Sequence, residues 1–372
     1  MRALIIGGGI IGSAVAWSLA REGVQTTVFE RGRLGQEASW AAAGVLGPQA
    51  EVEGPGPFLD LCIRARLALD ATLERLVREG GVDPEYDDAG VLYVALNEDE
   101  QAELEHRLRW QCAAGLTVGE LTGAQVRARA PYLSADVTYG LYFATDRQCD
   151  NRKLNQAYVN AAARAGVAFR EGAQADEVQI RGGRAIGVRL HDGSIHEADI
   201  IVDAAGCWGS QIRGVESDRI EIRPVRGQII CFETRPGAIE HAIFSRRCFL
   251  VPRRDGRLLA GSTREEAGYD KSVTLAGLAA IANGARALIP DFAATPFREA
   301  WAGLRPATRD LLPVIGPSPT INGLYYAVGH FRNGILLSAL TGELIADLIT
   351  GRKPSVDLTP FSAARFNQAR GK

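Results

Sequence analysis

The sequence predicts an α/β fold with two domains, one built on a parallel sheet and the other on a mixed sheet with helices. Three observations support this prediction. The chain opens with the patterns of a strand, a glycine-rich turn, a helix and a second strand within residues 1–30. A hairpin pattern at 185–198 leads into a buried strand at 200–203, and strand patterns dominate residues 220–262. A chain of 372 residues is long enough for two domains.

The opening strand and turn have the composition of a phosphate-binding loop. Residues 3–6 form an apolar run as long as a buried strand, and Gly7, Gly9 and Gly12 follow in G-x-G-x-x-G spacing. Gly7 permits the tight turn, Gly9 lets a pyrophosphate approach the backbone, and Gly12 lets the helix pack closely on the strand. A glycine-rich turn in an ordinary α/β core is the alternative interpretation.

The helix and the second strand complete this unit. Residues 13–21 predict a helix, whose free N–H groups and dipole would favour an anion at its N-terminus. Residues 25–29 predict the second strand, and Glu30 follows in position to accept hydrogen bonds from ribose hydroxyls. Strand, glycines, helix, strand and acid in this order predict a Rossmann-like dinucleotide site.

The same stretch also has features of a signal peptide or a short membrane anchor, because residues 4–20 are almost wholly apolar. The adjacent glycines would weaken such a helix, only one charge precedes it, and residues 40–44 are a poor cleavage site at this distance. We therefore expect buried structure here and no membrane span in the chain.

Composition excludes several classes of function. The net charge of −2 gives no bulk attraction to nucleic acid or to an anionic membrane, so we expect no nucleic-acid partner. The six cysteines form no C-x-x-C pair and lie at no metal-ligand spacing with histidine. Reduced thiols, a cytoplasmic location and no metal are therefore expected. A homo-oligomer is left open.

The rest of the chain alternates helix and strand patterns. Residues 31–57 predict a loop, in which the small side chains of ASWAAAG at 38–44 would lie against a flat ligand or form a packed turn. The hairpin is expected to return to the first sheet. Further helices are expected at 59–79, 98–114, 151–165, 274–288 and 335–349. Further strands are expected at 90–96, 139–143, 167–170, 185–190, 194–198 and 324–328.

Longer motifs resemble the glycine oxidase branch of the D-amino-acid oxidase and sarcosine oxidase family of FAD-dependent oxidoreductases. The resemblance spans essentially the whole chain and rests on the opening unit, ASWAAAG at 38–44, IVDAAGCW at 201–208, VPRRDGRLLAGST at 251–263, WAGLRP at 301–306 and GHFRNGILLS at 329–338. It implies a discontinuous FAD-binding domain and a mixed-sheet substrate domain. We divide the chain into 1–85, 145–219 and 300–372 for the first, and 86–144 and 220–299 for the second.

The resemblance also implies which residues contact FAD. Residues of the glycine turn, the ribose-binding acid and its neighbour, the small-residue loop, the end of the strand at 200–203 and the late loop would surround it. They are Gly7, Gly9, Ile10, Ile11, Gly12, Glu30, Arg31, Ala38, Ser39, Ala43, Gly44, Val45, Ala175, Ala205, Gly206, Trp208, His330, Phe331, Arg332, Asn333, Gly334, Ile335 and Leu336. No cysteine follows Cys248, so the C-terminal thiol that tethers FAD in sarcosine-oxidase-like relatives is missing and non-covalent FAD is expected.

By the same resemblance, Arg305 and Arg332 would bind the substrate carboxylate. A guanidinium presents a planar fork that matches a carboxylate in two parallel hydrogen bonds. The substrate would then present its α-carbon to the flavin, lose hydride and hydrolyse to a keto acid and ammonia. His330 receives no catalytic role. Phe249 stands in the pocket where glycine oxidases commonly have tyrosine, so one hydrogen bond of about 1 kcal/mol is missing and glycine itself is in question.

We therefore expect an FAD-dependent oxidase of glycine or another small amino acid or amine, which produces hydrogen peroxide if oxygen is the acceptor. A role in thiamine synthesis is compatible with the resemblance. One alternative is a D-amino-acid dehydrogenase that uses another electron acceptor. Another is a flavin-binding subunit of a cyanide-forming or multi-subunit amine dehydrogenase. An NAD-dependent dehydrogenase would leave the late arginine motifs without a purpose.

Overall fold

The structure, a computed structural model, describes residues 1–367; residues 368–372, the end of the predicted first domain, lie outside the described residues. The strands of the described chain are β1 (Arg2–Ile6), β2 (Gln25–Phe29), β3 (Val45–Leu46), β4 (Val91–Ala95), β5 (Gly119–Thr122), β6 (Tyr139–Phe143), β7 (Arg147–Gln148), β8 (Ala168–Arg170), β9 (Ala175–Arg181), β10 (Arg184–Leu190), β11 (Ile195–Glu197), β12 (Ile200–Asp203), β13 (Ile222–Glu233), β14 (Ala242–Phe244), β15 (Phe249–Pro252), β16 (Arg257–Gly261), β17 (Phe297–Thr308), β18 (Val314–Pro317) and β19 (Leu324–Val328). Its α-helices are α1 (Ile10–Arg21), α2 (Ala38–Ala41), α3 (Pro48–Glu51), α4 (Pro57–Gly80), α5 (Glu98–Ala113), α6 (Gly123–Arg129), α7 (Asn151–Arg164), α8 (Leu275–Leu288) and α9 (Gly334–Thr350).

The first sheet has the strand order β18-β19-β12-β1-β2-β8, and all its pairings are parallel except that of β18 with β19. Helices α1, α4, α7 and α9 pack together over one face, and the antiparallel sheet β11-β10-β9 covers the other. Since both faces are covered, β1 and β12 consist of almost wholly buried apolar residues. The expected Rossmann-like α/β fold is confirmed.

The second sheet is mixed, with the order β17-β13-β16-β15-β14-β4-β6-β5. Strands β13 and β17 have 12 residues each and pair along most of their length, which places Arg305 opposite Val225. Helices α6 and α8 pack on one face, and α2 and α5 on the other. The proposed boundary at residue 300 falls within β17, and the division into two domains remains a proposal.

Helix ends follow the local sequence. Helix α4 ends where Gly81 adopts a φ of +70°, a conformation that glycine adopts without strain. Helix α7 begins after Asp150, whose carboxylate accepts hydrogen bonds from the backbone N–H groups of Arg152 and Lys153 at 3.0 and 3.1 Å. These caps explain why the predicted bounds of the long helices lie within a few residues of the observed ones.

Two expectations about the course of the chain were wrong. The hairpin β10–β11 does not return to the first sheet, because it pairs with β9 in a sheet of its own and only β12 joins β1. The predicted loop at 31–57 contains α2, β3 and α3. Helix α3 forms because the buried Asp146 accepts hydrogen bonds from the Gln49 and Ala50 N–H groups at 3.2 and 2.9 Å. That contact spans about a hundred residues, so local sequence could not predict it.

Candidate active site

A large cavity of about 340 Å³ opens at the carboxyl ends of three neighbouring parallel strands, β1, β12 and β19. Ile6, Ala204 and Val328 line it at or just after the points where these strands end. In open α/β sheets, ligands bind in the crevice at this edge. We call this space the large cavity.

The glycine turn forms a compact wall of the large cavity. Gly7 has a φ of +105°, and a Cβ added to it would lie 2.5 Å from the Ala204 carbonyl oxygen. A Cβ on Gly12 would lie 1.9 Å from the Gly7 carbonyl oxygen, so only glycine permits α1 to approach the turn. The Ile10 N–H donates to Ser39 Oγ at 2.9 Å, which ties the start of α1 to α2.

Glu30 is 8% exposed at the end of β2, and its carboxylate supports the glycine turn. One oxygen accepts the Gly8 N–H at 2.8 Å, and the other accepts the Gly32 N–H at 2.8 Å. Each carboxylate oxygen retains lone-pair capacity for a further donor. The structure therefore assigns Glu30 a role in holding the loop, and its contact with a ribose remains a prediction.

Most of the residues predicted to contact FAD line the large cavity: Gly7, Gly9, Ile10, Ile11, Glu30, Arg31, Ala38, Ser39, Ala175, Ala205, Gly206, Trp208, His330, Phe331, Arg332, Gly334 and Ile335. Three line neither this cavity nor the next. Gly12 faces the turn, Leu336 is buried in the helix core, and Asn333 precedes α9, where its carbonyl accepts the Leu337 N–H at 2.8 Å. These three residues therefore lie behind the walls of the two cavities rather than in them.

Sequence reasoning missed part of the wall. Gln174 and Asp176 flank Ala175, and Cys207 and Gln211 lie in the turn that follows β12. Cys207 lay within the IVDAAGCW motif, and Gln174 and Asp176 lay beside the predicted Ala175, but nothing in the sequence shows which members of a loop face inward. The Arg31 guanidinium lies 3.5 Å from the centre of the Trp208 ring, and this cation–π contact joins the loops after β2 and β12.

A smaller inner cavity of about 90 Å³ adjoins the large cavity. Leu304, Phe331, Arg332 and Ile335 line both. The three residues predicted for the substrate meet in the inner cavity from three elements: Phe249 from β15, Arg305 from β17 and Arg332 from the loop before α9. Ala43, Gly44 and Val45, predicted to contact FAD, also line it.

Arg305 reaches the inner cavity across a gap left by a glycine. Its guanidinium lies over Gly227 of β13, where an added Cβ would be 2.2 Å from Nη1. Nη2 donates to Ser262 Oγ at 2.6 Å and Nη1 to the Thr263 carbonyl at 3.2 Å, and no carboxylate of residues 1–367 lies within 4.0 Å. Burial, and then the charge of Arg332, lower the pKa of Arg305 to about 10. Arg305 is therefore a cation held by neutral acceptors, with no carboxylate of the described residues in direct contact.

Arg332, in contrast, has an acidic partner. Its Nε lies 2.7 Å from Oε2 of Glu51, at the end of α3, and the charge of Glu51 raises the pKa of Arg332. The sequence offered no signal for Glu51, because it lay in a predicted loop. Phe331 has a φ of +48°, which is rare for a non-glycine residue. This backbone conformation turns the chain directly before Arg332.

Comparison with known proteins shows the family to which the chain belongs. Residues 2–348 match the family described as FAD dependent oxidoreductase. The chain belongs to this family. It is 32% identical to a glycine oxidase from Geobacillus kaustophilus over 97% of this chain and 96% of that protein. A crystal structure of glycine oxidase from Geobacillus kaustophilus is 31% identical, with a TM-score of 0.94 over 98% of this chain and 99% of that one.

A further relative is the hydrogen cyanide synthase subunit HcnC of Pseudomonas aeruginosa, 29% identical over 98% of this chain and 95% of that protein. The FAD-dependent oxidoreductase assignment agrees with the shape of the large cavity. The Gly7–Gly12 turn brings backbone, rather than side chains, to the N-terminus of α1, as an approaching pyrophosphate requires. No helix of residues 1–367 has the length and apolarity needed to cross a bilayer.

Two titratable residues in this oxidoreductase's large cavity are held neutral. His330 is buried, its Nε2 lies 3.1 Å from Thr341 Oγ1, and burial lowers its pKa to about 3. The Cys207 thiol donates to the Leu304 carbonyl at 3.3 Å, and burial raises its pKa to about 12. Neither the histidine nor the thiol carries charge at neutral pH, so the charged groups that line the large cavity are the carboxylates Glu30, Glu37 and Asp176 and the guanidinium groups Arg31 and Arg332.

Proposed function

We propose that the chain is an FAD-dependent oxidase of glycine or another small amino acid or amine, which it converts to a keto acid and ammonia, or to a primary amine when the nitrogen is substituted. The observation that carries the proposal is the Arg305 guanidinium, which has no carboxylate partner among residues 1–367 and lines a small cavity beside the large one. The glycine oxidase relatives and the FAD family support the same reaction class.

Arg305 would bind the substrate carboxylate. The Arg305 guanidinium is half-buried and already donates to Ser262 and Thr263, so it is held in one orientation and little side-chain freedom is lost when the anion binds. Arg332 would contribute less, because Glu51 already balances its charge. This division refines the sequence-based prediction, in which the two arginines had equal roles.

The apolar wall would fix the rest of the substrate and exclude water. Phe249, Leu304 and Phe331 line the inner cavity, and Phe331 and Leu304 also border the large cavity. FAD bound in the large cavity would supply the two-electron acceptor for the substrate's α-carbon. The residues of this chain would contribute binding, orientation and a fixed positive field.

The test is the reaction of the purified FAD-bound protein with glycine, sarcosine and D-alanine in the absence of oxygen. The proposal predicts loss of the visible flavin absorbance with at least one of them. Propylamine, which lacks a carboxylate, serves as the comparison and should reduce the flavin much more slowly than the best amino acid, because it offers Arg305 no anion to bind. If none of the amino acids reduces the flavin, the proposal fails.

Admission of air to the reduced protein separates the two enzymatic alternatives. Hydrogen peroxide in proportion to the substrate consumed indicates an oxidase, and slow reoxidation without peroxide indicates a dehydrogenase. The relative HcnC favours a second candidate, a flavin-binding subunit of a larger enzyme, and in that case the chain alone would not be reduced by any amine. Non-covalent FAD, a cytoplasmic location, a homo-oligomer and a role in thiamine synthesis remain proposals from the sequence.

A further inference from the structure

An outer cavity of about 240 Å³ continues the inner cavity toward the surface. Glu51, Phe249, Ser262, Arg305, Phe331 and Arg332 line both. Four further arginines line the outer cavity: Arg107, Arg246, Arg247 and Arg264. The outer cavity is more than twice the size of the inner one, and this exceeds what the smallest amino acid requires.

Three of the six arginines that line the outer cavity already have carboxylate partners. Arg332 pairs with Glu51 at 2.7 Å, Arg246 with Glu103 at 3.1 Å and Arg247 with Glu100 at 3.1 Å. Within residues 1–367, no carboxylate lies within 4.0 Å of Arg107, Arg264 or Arg305. Glu53 is the exposed acid that lines the outer cavity without such a partner. Three unpaired cations against one exposed anion leave the cavity with excess positive charge.

Arg264 is the least occupied of the three unpaired cations. Arg107 Nη1 donates to the carbonyls of Gln49 and Val52, both at 2.7 Å, and Arg305 donates to Ser262 and Thr263. Arg264 donates to no acceptor among the described residues.

The acids that follow Arg264 in sequence are engaged elsewhere, Glu265 with Arg226 at 2.5 Å and Glu266 with Arg223. The Arg264 guanidinium instead stands 5.6 Å from the centre of the Phe331 ring, at the wall shared with the inner cavity. It is close enough to Arg305 for its charge to lower the pKa of that residue. Arg264 and Arg305 therefore place two cations along one continuous path through the adjoining cavities.

We propose that the preferred substrates carry a second carboxylate, either on the side chain or on a nitrogen substituent. Arg305 binds the α-carboxylate in the inner cavity, and Arg264 binds the second carboxylate in the outer cavity. This inference rests on the proposed amine oxidation and names its substrate class. A charge-assisted hydrogen bond to each acid group is stronger than a neutral one, and a second cation raises the affinity for a dianion more than for a monoanion.

The experiment compares matched pairs of substrates. D-aspartate and D-asparagine differ in the charge of the side chain, and iminodiacetate and sarcosine differ in a carboxylate on the nitrogen substituent. We expect kcat/KM for the dicarboxylate to exceed that of its partner by about tenfold or more in at least one pair. The pair that shows the difference identifies where the second carboxylate lies.

Substitutions of Arg264 then test whether this residue causes the higher kcat/KM for the dicarboxylate. Arg264→Gln should lower kcat/KM for the dicarboxylate by about tenfold and for glycine by less than about twofold. Arg264→Lys should restore part of the preference. The matched control is Arg246→Gln, because Arg246 lines the same cavity but is paired with Glu103, and it should leave the ratio unchanged.

A binding measurement makes the test independent of turnover. Malonate and acetate are titrated against the FAD-bound protein, and the shift of the flavin spectrum gives each Kd. Malonate should bind about tenfold more tightly than acetate in the natural protein, and this advantage should disappear in Arg264→Gln. Equal affinities, or equal losses for both ligands in the variant, overturn the inference. Failure of every amine to reduce the flavin overturns the proposed oxidation instead.

Discussion

The large cavity and the arginine-lined cavities are built in different ways. The wall of the large cavity includes many glycine and alanine residues, and its glycine turn comes from one short segment between β1 and α1. The inner and outer cavities depend on charged side chains from α3, α5 and β17, and from the loops after β14, after β16 and before α9. Steric fit therefore decides the first region and charge balance the second, and substitutions should separate the two.

The largest effect is expected from loss of the Arg305 charge. Arg305→Met keeps much of the chain length but removes the cation, and a carboxylate in the inner cavity would then lack its partner. We expect kcat/KM for the best amino acid to fall by about 100-fold or more, with FAD content unchanged. The control is Arg298→Met, an exposed residue of the same strand that lines none of the three cavities. A normal kcat/KM in Arg305→Met would remove this residue from the site.

Two glycine substitutions, one in the turn beside the large cavity and one beside the inner cavity, compare the two regions directly. A Cβ in Gly12→Ala would lie 1.9 Å from the Gly7 carbonyl oxygen, so the turn must open and FAD should bind at least about tenfold more weakly. A Cβ in Gly227→Ala would lie 2.2 Å from Arg305 Nη1, so KM should rise about tenfold while FAD binding is retained.

The control for both is Gly54→Ala, where no atom lies within 4 Å of the added Cβ. Flavin fluorescence titration measures the first effect and steady-state kinetics the second. If both variants lose FAD equally, the two regions are not separable in the way proposed.

Glu51→Gln should have a smaller effect, and it should strengthen the binding of an anion rather than weaken it. The Arg332 guanidinium would lose the acid 2.7 Å from its Nε and become available to an added anion. We expect acetate, measured by its shift of the flavin spectrum, to bind about fivefold more tightly than to the natural protein. Glu53→Gln is the control, because this exposed acid is more strongly screened and should change the Kd less. Weaker acetate binding in Glu51→Gln would show that Glu51 positions Arg332 rather than neutralising it.

An effect as small as that of Glu51→Gln is expected at Phe249. Phe249 lines the inner and outer cavities, so a hydroxyl added in Phe249→Tyr has room to donate to the substrate carboxylate. One hydrogen bond of about 1 kcal/mol should lower KM for glycine by roughly fivefold. Phe244→Tyr, in the neighbouring strand with ring centres 5.8 Å apart, tests whether any hydroxyl in this cluster has the same effect. Unchanged kinetics for every amine would place residue 249 outside the site.

The sequence by itself determined the large cavity well. Gly7, Gly12 and Glu30 lie within one local unit, where spacing sets which backbone groups meet, and β2, β6 and β19 have the predicted bounds. Local patterns also located the long helices, since their caps and apolar periodicity are properties of neighbouring residues. The family motifs then indicated Arg305, Arg332 and Phe249 as residues that the fold should bring together.

Only the tertiary structure decided how charge is distributed around Arg305, Arg332 and Phe249. Glu51 reaches Arg332 because Asp146 holds α3 from a distant part of the chain, and Arg305 finds its gap at Gly227 because β13 and β17 pair in one register. Arg264 differs from Arg107 and Arg305 because it donates to no acceptor among residues 1–367, which is a fact about three-dimensional distance. Side-chain charges act through space rather than along the sequence, so the pairing of these arginines could be read only from the folded chain.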